Sequence, residues 1–144
     1  MTDAPSQPTG PTPGPGVAAL ITNSQGEYLL HLRDDIEGIC WPGYWALIGG
    51  HPDPGEPLDA AIARELKEET GLTVPLTPLT TVRQNNSEHL GKGPVAVFHG
   101  QWDGDAHALP LTEGIMLHWF PTTTLPRLRV PPWCREAIRV PHRR

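Results

Sequence analysis

The sequence predicts an α+β domain in which helices cover a sheet. Stretches of strand length and composition precede a helical pattern between Pro57 and Gly71, further strands follow it, and a short helical pattern comes near the end. This order is typical of an α+β or α/β/α sandwich, because each helix buries one apolar stripe against a sheet. At 144 residues the chain is long enough for one such domain with a hydrophobic core.

The domain is predicted to begin with a β-hairpin. Residues 17–22 are apolar, residues 27–33 alternate in part, and the intervening Asn-Ser-Gln-Gly sequence is typical of a turn. Residues 45–48 then predict a short strand that ends at Gly49 and Gly50. Glycine at that point lets the backbone approach a ligand closely and leaves a carbonyl oxygen available to a metal ion.

The region after the long helical pattern is predicted to contain three more strands and a final helix. Pro75 and Pro78 interrupt a β-prone stretch, which indicates an edge strand or a broken strand. The predicted elements are that strand at 73–84, a loop at 85–93, an alternating strand at 95–102, a hairpin turn at 103–105, a strand at 116–120 and a helix at 131–140.

Residues 1–16 and residues 17–144 are predicted to differ in order. The first segment is rich in proline and glycine and has few apolar side chains, so burial cannot offset the entropy lost on ordering it. We expect a flexible tail followed by a single domain, with a polyproline ligand as the less favoured reading of the tail.

Cysteine usage and hydropathy favour a cytoplasmic protein without a membrane partner. Only Cys40 and Cys134 occur, and they lack the spacing of a zinc site. No apolar run approaches the ~18 residues of a membrane-spanning helix, and the N-terminus lacks the pattern of a signal peptide. We therefore expect a reduced, soluble, cytoplasmic chain.

The net charge argues against a nucleic acid polymer as partner. The formal charge is −5, and residues 50–72 supply −4 of it, since six acidic side chains stand there against Arg64 and Lys67. Such an excess suits a metal ion that in turn binds phosphate, whereas duplex nucleic acid requires a basic surface. We expect a small-molecule partner and leave a homodimer open.

The predicted helix carries its acidic side chains on one face. Glu65, Glu68 and Glu69 stand at the i, i+3 and i+4 spacings that make side chains neighbours on a helix. Each like-charge pair costs roughly 0.2–0.5 kcal/mol in an isolated helix, so helix stability does not explain the arrangement. A divalent cation with oxygen ligands would reverse the effect. The alternative is a solvated acidic face balanced by Arg64 and Lys67.

The whole stretch GHPDPGEPLDAAIARELKEETGL resembles the Nudix box at every defined position. The strand-like GYWALIGG before it and LTEGIMLHWF after it are also similar to segments of that family, although Ile48 replaces the proline that many members have ahead of the glycine pair. The matching positions are Gly50, Glu56, Arg64, Glu65, Leu66, Glu68, Glu69, Gly71 and Leu72.

The resemblance implies a mixed sheet between helices and a divalent-metal site. Mg²⁺, or Mn²⁺ in its place, would be bound by the Gly50 region and by Glu65, Glu68 and Glu69, with one of these glutamates open as general base. An additional acid outside the box would be Glu113, and the alternative is Glu88.

The same resemblance assigns a supporting role to Glu56 and Arg64, which would form an ion pair that fixes the loop against the helix. Candidate substrate-binding residues are Arg33, Trp41, Tyr44 and His51. Arg33 suits a phosphate group, but it could instead pair with the adjacent Asp34 and Asp35. Trp41 and Tyr44 lie in a predicted loop at the pocket rim, and His51 directly follows the box glycines.

The activity that the resemblance implies is hydrolysis of a diphosphate bond in a nucleoside diphosphate linked to another group. Nucleotide sugars, nucleoside triphosphates and dinucleoside polyphosphates all remain open as substrates. One alternative is a noncatalytic nucleotide-binding module on the same fold. Another is an isomerase of isoprenyl diphosphates, which would require a catalytic cysteine; Cys40 has no recognisable motif around it.

Overall fold

A computed structural model describes residues 16–37, 41–86 and 91–142. The predictions for the tail up to residue 15, for Cys40 and for Glu88 lie outside the described residues. The regular elements are β1 (Gly16–Thr22), β2 (Tyr28–Leu32), β3 (Trp45–Ala46), β4 (Ile48–Gly50), α1 (Leu58–Thr70), β5 (Thr77–Asn86), β6 (Gly91–Gln101), β7 (Met116–Phe120) and α2 (Pro132–Arg139), with short 3₁₀ turns at Ala106–Ala108 and Leu125–Arg127.

The sheet is mixed, with β1 at its centre. Its main strand order is β3-β2-β1-β6-β5, while β4 also pairs with β1 and β7 also pairs with β2. The β1 and β6 strands are parallel, from Gly16 beside Val95 to Thr22 beside Gln101, and the other pairs are antiparallel. Every residue of β1 is buried, because both faces of this central strand are covered.

The two helices cover opposite faces of the sheet. On one face, Leu20 belongs to a core that includes Cys134 and Ala137 of α2. On the other face, Ile21 belongs to a core that includes Ile62 and Leu66 of α1. The predicted α/β/α sandwich with a mixed sheet between helices is therefore confirmed.

The ends of α1 follow the predicted signals. Pro57 stands at the N-terminal boundary with an extended backbone, where its missing N–H leaves no hydrogen bond unmade. Gly71 adopts the left-handed conformation at φ 81°, and its N–H donates to Lys67 O at 2.8 Å. Glycine takes this conformation without the steric cost of a Cβ atom. The helix between them spans 13 residues.

The predicted strand at 45–48 is divided into two short strands. β3 pairs with β2, through Trp45 beside Leu32, whereas β4 pairs with β1, through Ile48 beside Ala19. β4 ends at Gly50, within the glycine pair where the predicted strand ends. The chain therefore changes partner strand immediately before Gly49 and Gly50, which carries these glycines alongside β1.

Two predictions for the second half of the chain are wrong. The stretch 85–93 is not wholly a loop, because β5 extends to Asn86 and β6 begins at Gly91; ladder pairing overrides local polar composition there. Residues 103–105 do not form a hairpin turn, because β6 pairs with β1 and β5 whereas β7 pairs with β2. Asp105 instead caps the 3₁₀ turn by accepting from His107 N at 3.0 Å.

The prediction of an edge strand after α1 is confirmed. β5 lies at the end of the main strand order and begins at Thr77, after Pro75. Its pairing with β6 is irregular between Pro78 and Thr80. Proline has no N–H to donate to a ladder, and it is tolerated at an edge or an irregularity because no ladder hydrogen bond is required of it there.

Candidate active site

A cavity of about 200 Å³ lies beside the first residues of β1 and the end of β4. Gly50 and His51 contribute to its wall from β4 and the following loop, and Arg33 and Glu113 contribute from the segments that follow β2 and precede β7. Trp41, Gln84 and Trp133 also line it. The fold thus brings distant parts of the sequence to one concave surface, which is where ligand sites generally form.

The carboxyl group of Glu65 lies directly against Gly50. A Cβ atom added to Gly50 would stand 2.4 Å from Glu65 Cδ and 2.5 Å from its Oε2, well inside contact distance. Only glycine allows this approach. Glu65 on α1 is consequently held against the backbone that forms part of the cavity wall.

Arg64 ties the loop before α1 to the acidic face of the helix. Its guanidinium donates to both oxygens of Glu56, each at 2.9 Å, and to one oxygen each of Glu65 and Glu68 at 3.2 Å. Glu56 also accepts from Asp53 N at 2.9 Å. The hydrogen bonds from Arg64 and then from Asp53 lower the pKa of Glu56 to about 2.

Glu69 is a buried carboxyl group, with only 5% of its surface exposed. Burial raises its pKa above the ordinary carboxyl range, and the hydrogen bond with Glu65 and the charge of Glu113 act in the same direction. Its Oε1 has no hydrogen-bond partner among the described residues. Burying a carboxyl oxygen in this way is costly unless some other group compensates it.

Glu113 lies on the turn that leads into β7 and lines the cavity. Gly114 after it has φ 85°, and Ile115 N then donates to Leu32 O at 2.8 Å, so the turn is fixed to the end of β2. Glu113 and Arg33 also border an adjacent cavity of about 240 Å³ together with His31. Glu113 is an acid outside α1, and its charge acts on Glu69.

The predicted metal ligands are oxygen donors, which are the ligands that Mg²⁺ and Mn²⁺ prefer. Within the described parts of the chain, no three Asp, Glu, His or Cys side chains are arranged as a ready metal-binding group. Glu65 and Glu69 share a hydrogen bond, whereas the Glu68 side chain is 60% exposed and bonded to Arg64. The unpartnered Glu69 oxygen fits a cation, although the three predicted glutamates do not converge as they stand.

The structure separates the four predicted substrate-binding residues. Arg33, Trp41 and His51 line the cavity, but Tyr44 does not. The Tyr44 ring instead packs edge-on against Trp41, at 5.1 Å between ring centroids. The guanidinium carbon of Arg129 lies 4.6 Å from the centroid of the Tyr44 ring. Tyr44 therefore supports Trp41 rather than forming part of the wall.

Sequence reasoning did not assign Gln84 and Trp133 to the site. Gln84 is two residues after the buried Val82 on β5, so strand alternation places both on one face. Trp133 is on the face of α2 that packs on the core, as its spacing from Ala137 indicates. These signals show which face the side chains occupy, but only the fold shows that this face borders the cavity.

The family profile described as the NUDIX domain matches residues 12–140. The chain belongs to the NUDIX family. The nucleoside triphosphatase NudI of Escherichia coli O1:K1 is 45% identical over 64 residues, which are 44% of this chain and 44% of that relative. The chain thus matches less than half the length of this curated relative.

Two solved structures agree with the fold over most of the chain. The MutT protein from Methanosarcina mazei Go1 is 31% identical with a TM-score of 0.74, and the match covers 86% of this chain and 88% of that one. The MutT NUDIX hydrolase from Burkholderia pseudomallei is 25% identical with a TM-score of 0.75, covering 89% and 97%. In the described residues of this NUDIX chain, no helix is long and apolar enough to cross a membrane.

Proposed function

We propose that this NUDIX chain hydrolyses a phosphoanhydride bond in a nucleoside diphosphate derivative, such as a nucleoside triphosphate, with a divalent cation. The observation that carries the proposal is the buried Glu69 carboxyl, which shares a hydrogen bond with Glu65, has one unpartnered oxygen and lies near Glu113. Such a cluster opposes folding in the absence of a cation and is suited to binding one.

The chemistry of the donors indicates a hard cation, Mg²⁺ or Mn²⁺. Glu65 and Glu69 would hold it, and Glu68 would join them if it exchanged its contact with Arg64 for the ion. Such an ion, when bound, neutralises charge on phosphate oxygens and lowers the pKa of a bound water.

The chain's own residues have distinct tasks in this proposal. Arg33, in the cavity wall, binds a phosphate oxygen through its guanidinium. Glu113 accepts a proton from the attacking water or orients that water, since it lies in the same wall. Arg64 and Glu56 act as positioning residues, because their paired hydrogen bonds fix the loop that carries His51 against α1.

A nucleotide is the substrate class that the similar proteins support. The curated relative NudI is a nucleoside triphosphatase, and the cavity combines charged residues with the aromatic side chains of Trp41 and Trp133. Aromatic rings offer apolar faces on which a nucleobase stacks, while Arg33 suits the phosphates.

The test is a substrate panel with the full chain in Mg²⁺, in Mn²⁺ and with a chelator. Nucleoside triphosphates, nucleotide sugars and dinucleoside polyphosphates are incubated in heavy-oxygen water, and mass spectrometry identifies which product carries the label. We expect metal-dependent cleavage of a phosphoanhydride bond in at least one nucleotide class. Glu136→Gln, on the exposed side of α2, is the matched control for glutamate substitutions. Nucleotide binding without cleavage, or a product of unchanged mass, would contradict the proposal.

A further inference from the structure

Trp133 lines the cavity and carries a buried hydrogen-bond donor without an acceptor among the described residues. The residue lies near the start of α2 and lines the cavity, and its indole Nε1–H is buried. Among the described residues this N–H has no partner. An indole nitrogen can only donate, and a buried donor left unpaired is destabilising, so this position calls for an explanation.

Gln84 brings further donors to the same wall. The indole Nε1–H of Trp41 donates to Gln84 Oε1 at 2.8 Å. Because that indole group cannot accept, the oxygen of the Gln84 amide must face it, and this fixes the orientation of the amide. The other end of the Gln84 amide is its NH₂ group, which, like the indole N–H of Trp133, is a hydrogen-bond donor.

The backbone of Trp41 indicates that this arrangement is specified. Trp41 has φ 53°, a left-handed conformation that is unusual for a large side chain and costs on the order of 1–3 kcal/mol. Tyr44 N donates to Trp41 O at 3.3 Å, and the Tyr44 ring packs against the indole ring. These contacts and the bond to Gln84 hold the Trp41 side chain at the cavity in spite of the backbone strain.

We propose that Trp133 and Gln84 select nucleotides whose base presents an exocyclic oxygen in place of an amino group. The polar groups that these two residues offer are donors, so an oxo group completes a hydrogen bond with them, whereas an amino group would oppose one donor with another. This inference rests on the proposed function, because it assigns the base of the nucleotide to this wall of the same cavity.

The experiment compares matched nucleotides that differ at one position of the base. Dissociation constants of inosine and adenosine monophosphate, and of uridine and cytidine monophosphate, are measured by calorimetry with the full chain. We expect the oxo member of each pair to bind about tenfold more tightly. This is the scale expected when the oxo base accepts a hydrogen bond from the wall and the amino base instead faces a donor with a donor. Equal binding within both pairs, or preference for the amino members, would overturn the inference.

Three variants identify the residues responsible. Trp133→Phe keeps the ring but removes the N–H, and it should reduce the oxo preference. Gln84→Glu keeps an acceptor for Trp41 and replaces the NH₂ donor by an acceptor. It should shift the ratio of the two dissociation constants towards the amino members, even if the added charge weakens the binding of both nucleotides. Trp45→Phe removes an indole N–H from the same core outside the cavity wall, and it should leave the ratio unchanged. Wild-type ratios in both cavity variants would overturn the inference.

Hydrolysis of inosine and adenosine triphosphate by the same preparations separates this inference from the proposed function. If both are cleaved but the two monophosphates bind equally, the selection by Trp133 and Gln84 is wrong and the proposed function stands. If the oxo members bind preferentially but no phosphoanhydride substrate is cleaved, the proposed function is wrong and the selection stands. If no nucleotide is bound or cleaved, both are wrong.

Discussion

The Glu65 carboxyl group and the Gly50 backbone are in such close contact that a Cβ on Gly50 would lie 2.4 Å from Glu65 Cδ. We predict that Gly50→Ala displaces the carboxyl group, since the far end of a glutamate side chain moves more easily than backbone. Because misplacement of a site group by about 1 Å can cost on the order of 10²-fold in rate, we expect a loss of that size in kcat. The melting temperature should change little.

Gly49→Ala provides the contrast for this prediction. A Cβ on Gly49 would stand 2.4 Å from Val17 O, a backbone atom of the central strand that cannot move aside cheaply. We expect this variant to lose stability, by about 1–3 kcal/mol, as overpacked cores do. Thermal unfolding and turnover of both variants test the distinction, which is refuted if Gly50→Ala is the less stable of the two.

Glu69→Gln should affect both activity and metal-free stability. Loss of a carboxylate from the proposed metal site should lower kcat by at least about 100-fold. The neutral amide also removes the unfavourable interactions of a buried carboxyl group beside Glu65, so the melting temperature in chelator should rise. Glu68→Gln, at an exposed position, should lower activity without a comparable rise in the melting temperature in chelator. Full turnover in both variants would contradict the metal assignment.

Glu113→Gln tests the acid outside α1. General acid–base catalysis contributes typically about 10²–10⁴-fold, so we expect a loss of kcat in this range at saturating Mg²⁺. The loss should persist from about pH 6 to about pH 9, where kcat of this variant is compared with that of the wild-type chain. Glu136→Gln is the control, and undiminished activity of Glu113→Gln at every pH would make Glu88 the next residue to test.

His31 should make the fold sensitive to acid. It is buried, neither ring nitrogen has a hydrogen-bond partner among the described residues, and burial followed by the charge of Arg33 lowers its pKa to about 3. Because the pKa is lower in the folded state than the usual 6.5, its contribution to stability is complete above that value. It is lost as pH falls from about 6.5 towards 3, at up to about 1.4 kcal/mol per pH unit.

His31→Leu should flatten this dependence. Denaturant unfolding between about pH 7 and about pH 5 should show a smaller loss of unfolding free energy than in the wild-type chain. Equal slopes for His31→Leu and the wild-type chain would show that His31 does not carry the effect.

Much of the fold was predictable because its signals are local. Proline before α1 and glycine after it act through their own backbone preferences, and alternation identified β6. The division of residues 45–50 between β3 and β4 was not predictable, because it depends on two different partner strands. The error at residues 103–105 has the same cause: a turn-like composition does not reveal that β6 and β7 pair with different strands.

By itself the sequence determined the family and the spacing of acidic groups on α1, because helical periodicity depends only on residue separation. Tertiary structure alone decided that Glu69 is buried beside Glu65 while Glu68 is bonded to Arg64, and that Tyr44 lies behind Trp41. It also brought Gln84 and Trp133 to one cavity wall. Burial and convergence depend on which elements pack together, and residues separated in the chain acquire these properties only when the sheet and both helices are assembled.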